Sequence, residues 1–132
     1  MFFRLKRSKE YVLFSNIIRE RDGWTCQRCK LPCEDNKAYL DCSHVYGRGC
    51  KSVRWDLENA FAMCKKCHDF FTKNPEENKE FARIRLGERK FDLLTFRAKN
   101  PQKIDLALIY AGLKGLWSDM EAKKPMIFGK RR

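Results

Sequence analysis

Two Cys-x-x-Cys pairs are the strongest chemical feature of the sequence. They are Cys26-Gln27-Arg28-Cys29 and Cys64-Lys65-Lys66-Cys67. Two intervening residues allow one turn to direct both sulfurs at one ion, and four thiolates complete a tetrahedral structural zinc site. Isolated buried thiols and redox dithiols are the alternatives, but redox chemistry at one pair would not explain the other. We therefore predict a structural Zn²⁺ ion bound by Cys26, Cys29, Cys64 and Cys67.

Three further cysteines lie outside these pairs, at positions 33, 42 and 50. The total of seven is odd, so a fully paired set of disulfides is impossible. Cys33 follows the first pair closely and is an alternative zinc ligand. A second zinc ion at Cys33, Cys42 and Cys50 is another possibility, but we favour three partly buried thiols.

Both histidines of the chain lie in the cysteine-rich region 24–72. His44 ends a predicted strand, and His68 directly follows the second cysteine pair. Asn59 lies between them, which gives the order His, Asn, Cys-x-x-Cys-His. A single histidine is most often structural, but imidazoles beside a metal-binding framework are suited to binding an ion and to transferring protons.

The elements that position these residues begin with a helix within residues 1–22. Ser8 is its predicted N-cap, apolar residues follow at helical spacing, and Gly23 predicts its end. Short strands are expected at residues 38–45 and, more weakly, near residues 52–55, with a glycine-containing loop between them.

The rest of the chain has a helical pattern, which begins at about Met63 and continues through Phe71. Asn74-Pro75 predicts a new helix with a capping residue and a proline at its first position, and Gly87 predicts its end. A further helix is expected at about 88–98, and Asn100-Pro101 repeats the start signal. The last helix is predicted to pack one apolar face into the core, formed by Ile104, Leu108, Leu113, Leu116 and Trp117.

Composition indicates a folded domain with a polyanionic partner. Hydrophobic residues make up 43% of the chain and aromatic residues 13%, enough for a core. We predict an α+β, mainly helical fold in a single domain, residues 1–132. Lys and Arg number 29 against 17 Asp and Glu, which gives a net charge of +12. This charge favours nucleic acid, because each phosphate neutralised releases a counterion.

Nothing in the sequence predicts export or membrane insertion. Phe2 and Phe3 are followed at once by basic residues, so they do not begin an apolar signal segment. The longest apolar run, residues 106–113, is far too short to span a bilayer. We therefore expect an intracellular, cytoplasmic protein with reduced thiols and no membrane partner.

Several motifs occur in an order that is typical of a known family. They are Arg21-Asp22-Gly23-Trp24-Thr25-Cys26-x-x-Cys29, His44, Asn59 and Cys64-x-x-Cys67-His68. Together they resemble the HNH endonucleases with a zinc-bound ββα-metal core. The strings Cys42-Ser43-His44 and Arg54-Trp55-Asp56-x-x-Asn59, with Arg48, are more similar still to small phage recombination nucleases of the NinG/Rap type.

The resemblance covers about residues 19–75. It implies a ββα-metal core there, flanked by the N-terminal helix and followed by a helical extension over residues 76–132. It also implies a phage-encoded protein that acts in the host cytoplasm during DNA recombination.

The resemblance implies metal-dependent hydrolysis of phosphodiester bonds in DNA. His44 would be the general base for the attacking water, a role suited to an imidazole with a pKa of about 6.5. His68 would bind a catalytic divalent ion, and Asn59 would orient the loop and the His44 ring or contact the ion. The ion would neutralise the scissile phosphate and the charge on the leaving 3′ oxygen. Mg²⁺, Mn²⁺, Ni²⁺ and Zn²⁺ all remain open, with imidazole favouring the transition metals.

One departure from the family pattern concerns the residue before the base. Many HNH enzymes have Asp or His there as a second metal ligand, whereas this chain has Ser43. Asp41 lies two residues earlier, on the same face of a regular strand as Ser43, and reaches the metal only if the strand end bends. The ion would otherwise be held by His68, Asn59, water and substrate phosphate. This departure leaves a weakly active or inactive site as an alternative.

Phosphate contacts are predicted for basic residues of the core, namely Arg48, Lys51, Arg54, Lys65 and Lys66. Such contacts carry no base specificity, so we expect low sequence specificity or recognition of a DNA structure such as a branch. The late helices are candidates for a homodimer face, although core packing is the favoured interpretation. The competing functions are a zinc-stabilised DNA-binding module without catalysis and a structural or packaging-partner protein.

Overall fold

Two antiparallel strands lie between helices in the structure, a computed structural model that describes residues 8–47 and 49–124. The elements, in chain order, are α1 (Lys9–Arg21), β1 (Leu40–His44), β2 (Ala60–Cys64), α2 (Lys65–Lys73), α3 (Pro75–Leu86), α4 (Glu88–Lys99) and α5 (Leu106–Lys123). The mainly helical α+β class predicted from the sequence is confirmed.

The two strands pair from Leu40 opposite Cys64 to His44 opposite Ala60. The first predicted strand is confirmed, but the second is wrong. Residues 52–55 do not form a strand, and a short 3₁₀ turn occupies Lys51–Val53 instead. The second strand is β2, in which all five residues are buried. A strand buried on both faces shows no alternation of polar and apolar residues, so its sequence has no strand period to detect. The helical pattern was predicted to begin at about Met63, but Met63 and Cys64 are the last residues of β2, and α2 begins at Lys65.

Helix α1 begins and ends as predicted. The Ser8 hydroxyl accepts a hydrogen bond from the Tyr11 amide at 3.1 Å. Gly23, just beyond the helix, has a φ of +66°, a conformation that glycine adopts without steric cost. Phe14, Ile17 and Ile18 are fully buried. Helix α1 thus packs its apolar face on the sheet and leads directly into the first cysteine pair.

The two Asn-Pro signals have a different role from the one predicted. Pro75 does start α3, but the Asn74 side chain donates to the Phe70 carbonyl at 2.8 Å and so ends α2. Asn100 donates to the Phe96 carbonyl in the same way, at the end of α4. No helix starts at Pro101: α5 begins at Leu106, with Asp105 as its cap. In both cases the amide satisfies a carbonyl of the preceding helix instead of an amide of the next.

Two hydrophobic clusters pack against the sheet. One joins α1, β1 and α5 and includes Phe14, Cys42 and Leu113. The other joins β2, α2 and α3 and includes Phe61 and Phe71. Within residues 8–47 and 49–124, no helix is long and apolar enough to cross a lipid bilayer.

The predicted apolar face of α5 is only partly correct. Leu113 is buried, and Leu116 and Trp117 pack against the α1 cluster. Leu108, however, is 71% exposed, and Ile104 precedes the helix. The buried stripe starts at Ile109 instead, and Leu108 lies about 100° around the helix from it. Ile109, Leu113 and Trp117, which the homodimer alternative would place at a dimer face, pack against α1 instead.

The revised face of α5 predicts different costs for the same substitution in one helix. Leu113→Ala should lower the free energy of unfolding by about 2–5 kcal/mol, because it leaves a cavity in the core. Leu108→Ala should change it by less than about 0.5 kcal/mol, because this side chain is already hydrated. Denaturant unfolding of both variants tests this, and equal costs would contradict the packing described.

Candidate metal centre and active site

The first cysteine pair lies in a tight turn that directly follows α1. Lys30 has a φ of +67°, and its amide donates to the Cys26 carbonyl at 2.9 Å. The Cys29 amide approaches the Cys26 sulfur at 3.5 Å. The amide of Gln27 donates to the Ala62 carbonyl at 2.9 Å, which fixes the turn to β2. The first pair is therefore attached to the strand that ends in the second pair.

The four cysteine sulfurs converge as the sequence predicts. The Sγ atoms of Cys26, Cys29, Cys64 and Cys67 all lie within 4.8 Å of one another. The Cys29 and Cys64 sulfurs are 3.8 Å apart. Zn–S bonds of about 2.3 Å in a tetrahedron require sulfurs about 3.8 Å apart, so the cluster has the dimensions and the ligand type of a structural zinc site. These four cysteines are placed to bind a metal ion such as zinc.

The thiols of this cluster have unequal proton affinities. Burial raises the pKa of Cys26, but hydrogen bonds from backbone amides of Cys29 and neighbouring residues outweigh it and lower that pKa to about 7. Burial raises the pKa of Cys67 to about 12, against the effect of a hydrogen bond from Arg28. Without a cation, the cluster therefore retains protons at neutral pH. A bound metal ion replaces these protons, so metal binding must weaken as pH falls.

The second pair starts α2 and has a basic partner. Cys64 is the N-cap of α2, and Cys67 lies in its first turn. Arg28 donates to the Cys67 sulfur at 3.4 Å, and its guanidinium lies 4.0 Å from the centre of the Phe70 ring. Four thiolates around Zn²⁺ leave an excess of negative charge, which this arginine is placed to offset. This role of Arg28 was not predicted from the sequence.

His44 lies at the end of β1 with its ring held on two sides. Its Nε2 atom is 3.0 Å from the Arg54 carbonyl. A carbonyl only accepts hydrogen bonds, so Nε2 must carry the proton and the neutral ring has its lone pair on Nδ1. The ring stacks on Phe14 at a centroid distance of 5.6 Å. These contacts fix both the orientation and the tautomer of the imidazole.

His68 is oriented by an acidic partner on β1. Its Nδ1 atom lies 2.9 Å from an Asp41 carboxylate oxygen, and Lys65 binds the other oxygen at 2.8 Å. Burial raises the pKa of Asp41, but the hydrogen bonds from His68 and Lys65 outweigh it and lower the pKa overall. The carboxylate accepts the Nδ1 proton, so the lone pair of neutral His68 is on Nε2. A carboxylate behind a histidine is the usual arrangement around a metal-binding imidazole.

The two histidines line the same cavity of about 320 Å³. The other residues of its wall are Tyr11, Cys42, Ser43, Val45, Gly47, Phe71, Thr72, Pro75 and Asn78. Ser43 is 3% exposed, and Asp41 is not part of the wall. In residues 8–47 and 49–124, the four cysteines are the only group of three or more His, Cys or acidic residues that could hold an ion. An ion at His68 would therefore depend on water and substrate for much of its coordination.

Asn59 has no exposed surface and cross-links the loop 45–59 that joins the strands. Its Oδ1 accepts from the Tyr46 amide at 2.8 Å. Its Nδ2 donates to the carbonyls of Tyr46 and Val53, both at 3.0 Å. Both groups of the amide bind the loop, which matches the orienting role expected for Asn59 more closely than contact with an ion.

The remaining cysteines are not among the four grouped sulfurs, although Cys33 packs in the same hydrophobic cluster as Cys26, Cys64 and Cys67. Cys33 and Cys42 are buried, and Cys50 is half-buried. Burial raises the pKa of Cys33, and it raises that of Cys42 to about 12. The second zinc site at these three residues is wrong, because the described part of the chain brings no such group together. Partly or fully buried thiols at these three positions agree with the interpretation favoured from the sequence.

The predicted phosphate-binding residues have different environments. Lys51 and Lys66 are exposed. Lys65 is 56% exposed while bound to Asp41. The Arg54 guanidinium lies 5.1 Å from the centre of the Trp55 ring. The remaining candidate, Arg48, lies outside the described residues.

The roles of several residues that position the site were not predicted from the sequence. The Asp22 carboxylate accepts from the Ala62 amide at 2.8 Å, and Arg21 donates to the carbonyls of Leu57 and Ala60. Asn78 donates from α3 to the His44 carbonyl at 3.1 Å. The signal for Asn78 was a polar residue on the apolar side of a helix, three and four positions before Phe81 and Ala82.

Comparison with protein-family models, with curated proteins and with solved structures found no match to this chain.

The cysteine geometry predicts that zinc and fold are lost together. Cys26→Ser and Cys67→Ser should each abolish stoichiometric zinc and cooperative melting, because a structural zinc site contributes about 10–16 kcal/mol in small domains. Cys50→Ser, the matched control, should keep both. Elemental analysis and thermal melting test this, and a folded, zinc-free Cys67→Ser protein would contradict it. Zinc should also be released as the buffer is acidified, since protons compete for the thiolates.

Proposed function

We propose that the protein is a metal-dependent DNA endonuclease or nickase of the HNH type. One observation carries the proposal: two histidines, each with one ring nitrogen bound to a fixed acceptor, line one cavity, and one of them directly follows the last cysteine of the cluster. The order β1, β2, α2 over residues 40–73 agrees with the ββα core that the sequence resemblance implies.

In the proposed reaction His44 is the general base. A water molecule in the cavity loses a proton to Nδ1 of His44, and its oxygen attacks phosphorus. The new P–O bond forms as the bond to the 3′ oxygen breaks, and the leaving oxygen takes a proton from solvent. The Arg54 carbonyl stabilises the resulting imidazolium, because it accepts the Nε2 proton in both charge states. General bases of this kind contribute about 10²–10⁴-fold to rate.

His68 is the proposed ligand of a divalent ion. Its Nε2 is the coordinating atom, since Asp41 binds the proton on Nδ1. The ion would be held by one oriented imidazole, and water and substrate phosphate would complete its coordination shell. An imidazole ligand favours transition-metal ions, whereas a site made only of carboxylates would not. Such an ion would supply positive charge for the scissile phosphate and the leaving oxygen.

The proposed substrate is DNA bound through its phosphates. The net charge of +12 supplies the attraction. Exposed lysines at positions 51 and 66 lie in the β1–β2 loop region and in α2, the two segments that also supply cavity residues. Contacts of this type do not read bases, so we propose low sequence specificity or selection of DNA structure.

The alternative is a zinc-stabilised DNA-binding module without catalysis. The observation that favours it is the wall of the cavity, where Ser43 stands and no carboxylate is present. A protein of this kind would bind DNA with an affinity that falls steeply as the salt concentration rises, and it would not cut the phosphodiester backbone of DNA.

A plasmid-nicking assay with Mg²⁺, Mn²⁺, Ni²⁺ or Zn²⁺ tests the base directly. The wild-type protein should nick, and His44→Ala should lower the rate by at least about 10²-fold because no other cavity imidazole has its position. His68→Ala should instead raise the metal concentration needed for activity.

Both variants should have the zinc content and melting temperature of the wild-type protein, which shows that a lower rate is not caused by unfolding. His44→Gln serves as a second variant if the alanine leaves a destabilising space beside Phe14. Wild-type cutting with the His44 variants equally active would refute the base assignment. Salt-dependent binding without cutting in any metal would favour the alternative.

Asp41 should affect metal affinity more than turnover. Asp41→Asn should raise the metal concentration for half-maximal rate by about 10–100-fold, because the His68 ring loses its anionic partner, while the rate at saturating metal changes little. Asp69→Asn is the matched control, since this exposed acid adjoins His68 in sequence but pairs with Lys73 at 3.1 Å. Equal metal dependence of the two variants would contradict the orienting role.

A further inference from the structure

Helix α4 contacts the loop 45–59 at three points. The Tyr46 hydroxyl and the Thr95 hydroxyl are 2.7 Å apart. The Ser52 hydroxyl donates to the Arg97 carbonyl at 2.7 Å. The Arg97 guanidinium donates to Asp56 at 2.7 Å and to Glu58 at 3.1 Å. The loop is thus attached to α4 near its start, its middle and its end.

The same loop supplies the acceptor that orients His44. The Arg54 carbonyl, which receives the Nε2 proton, lies two residues after Ser52 and two before Asp56. Both of these neighbours bind Arg97 through their side chains: Ser52 donates to the Arg97 backbone carbonyl, and Asp56 accepts from the Arg97 guanidinium. The position of the acceptor is therefore fixed from α4 on both sides.

We infer that Arg97 is a positioning residue for the proposed base, acting through the loop 45–59 on the His44 ring. The inference rests on the proposed function and assigns a role to a helix outside the region of family resemblance. Arg97 suits this role because its planar guanidinium binds two carboxylates at once, which a lysine ammonium does with less directional control.

A positioning role differs measurably from a merely stabilising one. The Arg97 side chain is 39% exposed, and its partners Asp56 and Glu58 are 18% and 34% exposed, so all three side chains keep contact with solvent. Ion pairs at such sites contribute little to stability. Loss of Arg97 should thus leave the melting temperature nearly unchanged while it changes the chemistry of His44.

The test compares Arg97→Gln with Arg89→Gln, an exposed arginine of the same helix whose loss changes the net charge equally. Arg97→Gln should lower kcat on the order of ten- to a hundredfold, the effect of a small misplacement of a reacting group. KM should match that of Arg89→Gln. Arg97→Lys should recover part of the loss, because one of the two pairings is retained.

The pH profile gives a second readout. A hydrogen bond from Nε2 to a carbonyl stabilises the imidazolium more than the neutral ring, so weakening it lowers the pKa of the base. Activity rises with pH as the base loses its proton, so the acidic limb of the profile should move to lower pH in Arg97→Gln only.

A third readout does not require activity. The chain has two histidines, so ¹⁵N NMR of their side chains resolves each tautomer. The neutral His44 ring should carry its proton on Nε2 in wild type and Arg89→Gln, and should show a mixture of tautomers in Arg97→Gln. If wild type fails to cut DNA, the proposed function is refuted, and this comparison alone decides whether α4 fixes the ring.

Unchanged kcat, pH limb and tautomer in Arg97→Gln, relative to Arg89→Gln, would overturn the inference. If Arg97→Gln does not fold, Thr95→Val replaces it, since this substitution removes the partner of the Tyr46 hydroxyl and keeps its volume. Thr95→Val should then lower kcat by a smaller factor than expected for Arg97→Gln. Unchanged kcat, pH limb and tautomer in Thr95→Val would also overturn the inference.

Discussion

Convergence of four sulfurs on one point is the constraint on which the rest of the structure depends. The sheet has two short strands, and a sheet of this size is at most marginally stable alone. The cysteine cluster joins the turn after α1 to the junction of β2 and α2, which are 35 residues apart at Cys29 and Cys64. Metal binding there would contribute directly to folding free energy, because the unfolded chain has no preformed site. The same junction determines where α2, and therefore His68, lies relative to β1.

Hydrogen bonds from several elements then fix the side chains of the cavity. Asn59 closes the loop 45–59, and the Arg54 carbonyl of that loop binds His44. Asp41 of β1 binds His68 of α2. Helices α3 and α4 add contacts to the His44 carbonyl and to the loop. Helices α3 and α4 thus support the cavity as well as the hydrophobic core, a role that was not predicted for either helix from the sequence.

Features that depend on a few residues close together in the chain were predicted correctly from the sequence. The cysteine spacing predicted the metal cluster, and Ser8 and Gly23 predicted the limits of α1. The strand β2 was missed because its burial on both faces removes the alternating pattern. Asn74 and Asn100 were misinterpreted because an asparagine before a proline serves either the helix that ends or the one that begins. The pairings of Asp41 with His68 and of Arg97 with Asp56 join residues 27 and 41 positions apart, and no local pattern specifies them.

The most direct test of this account is amide hydrogen exchange during removal of the metal by a chelator. If the cysteine cluster binds zinc and supports the cavity, chelation should abolish protection of the amides of Val45 and Ala62, which are bonded to Asn59 and Asp22, as zinc leaves. Restoring zinc should restore it. Full protection of both amides in the metal-free protein would contradict the central claim that metal binding at the four cysteines holds the two imidazoles at one cavity.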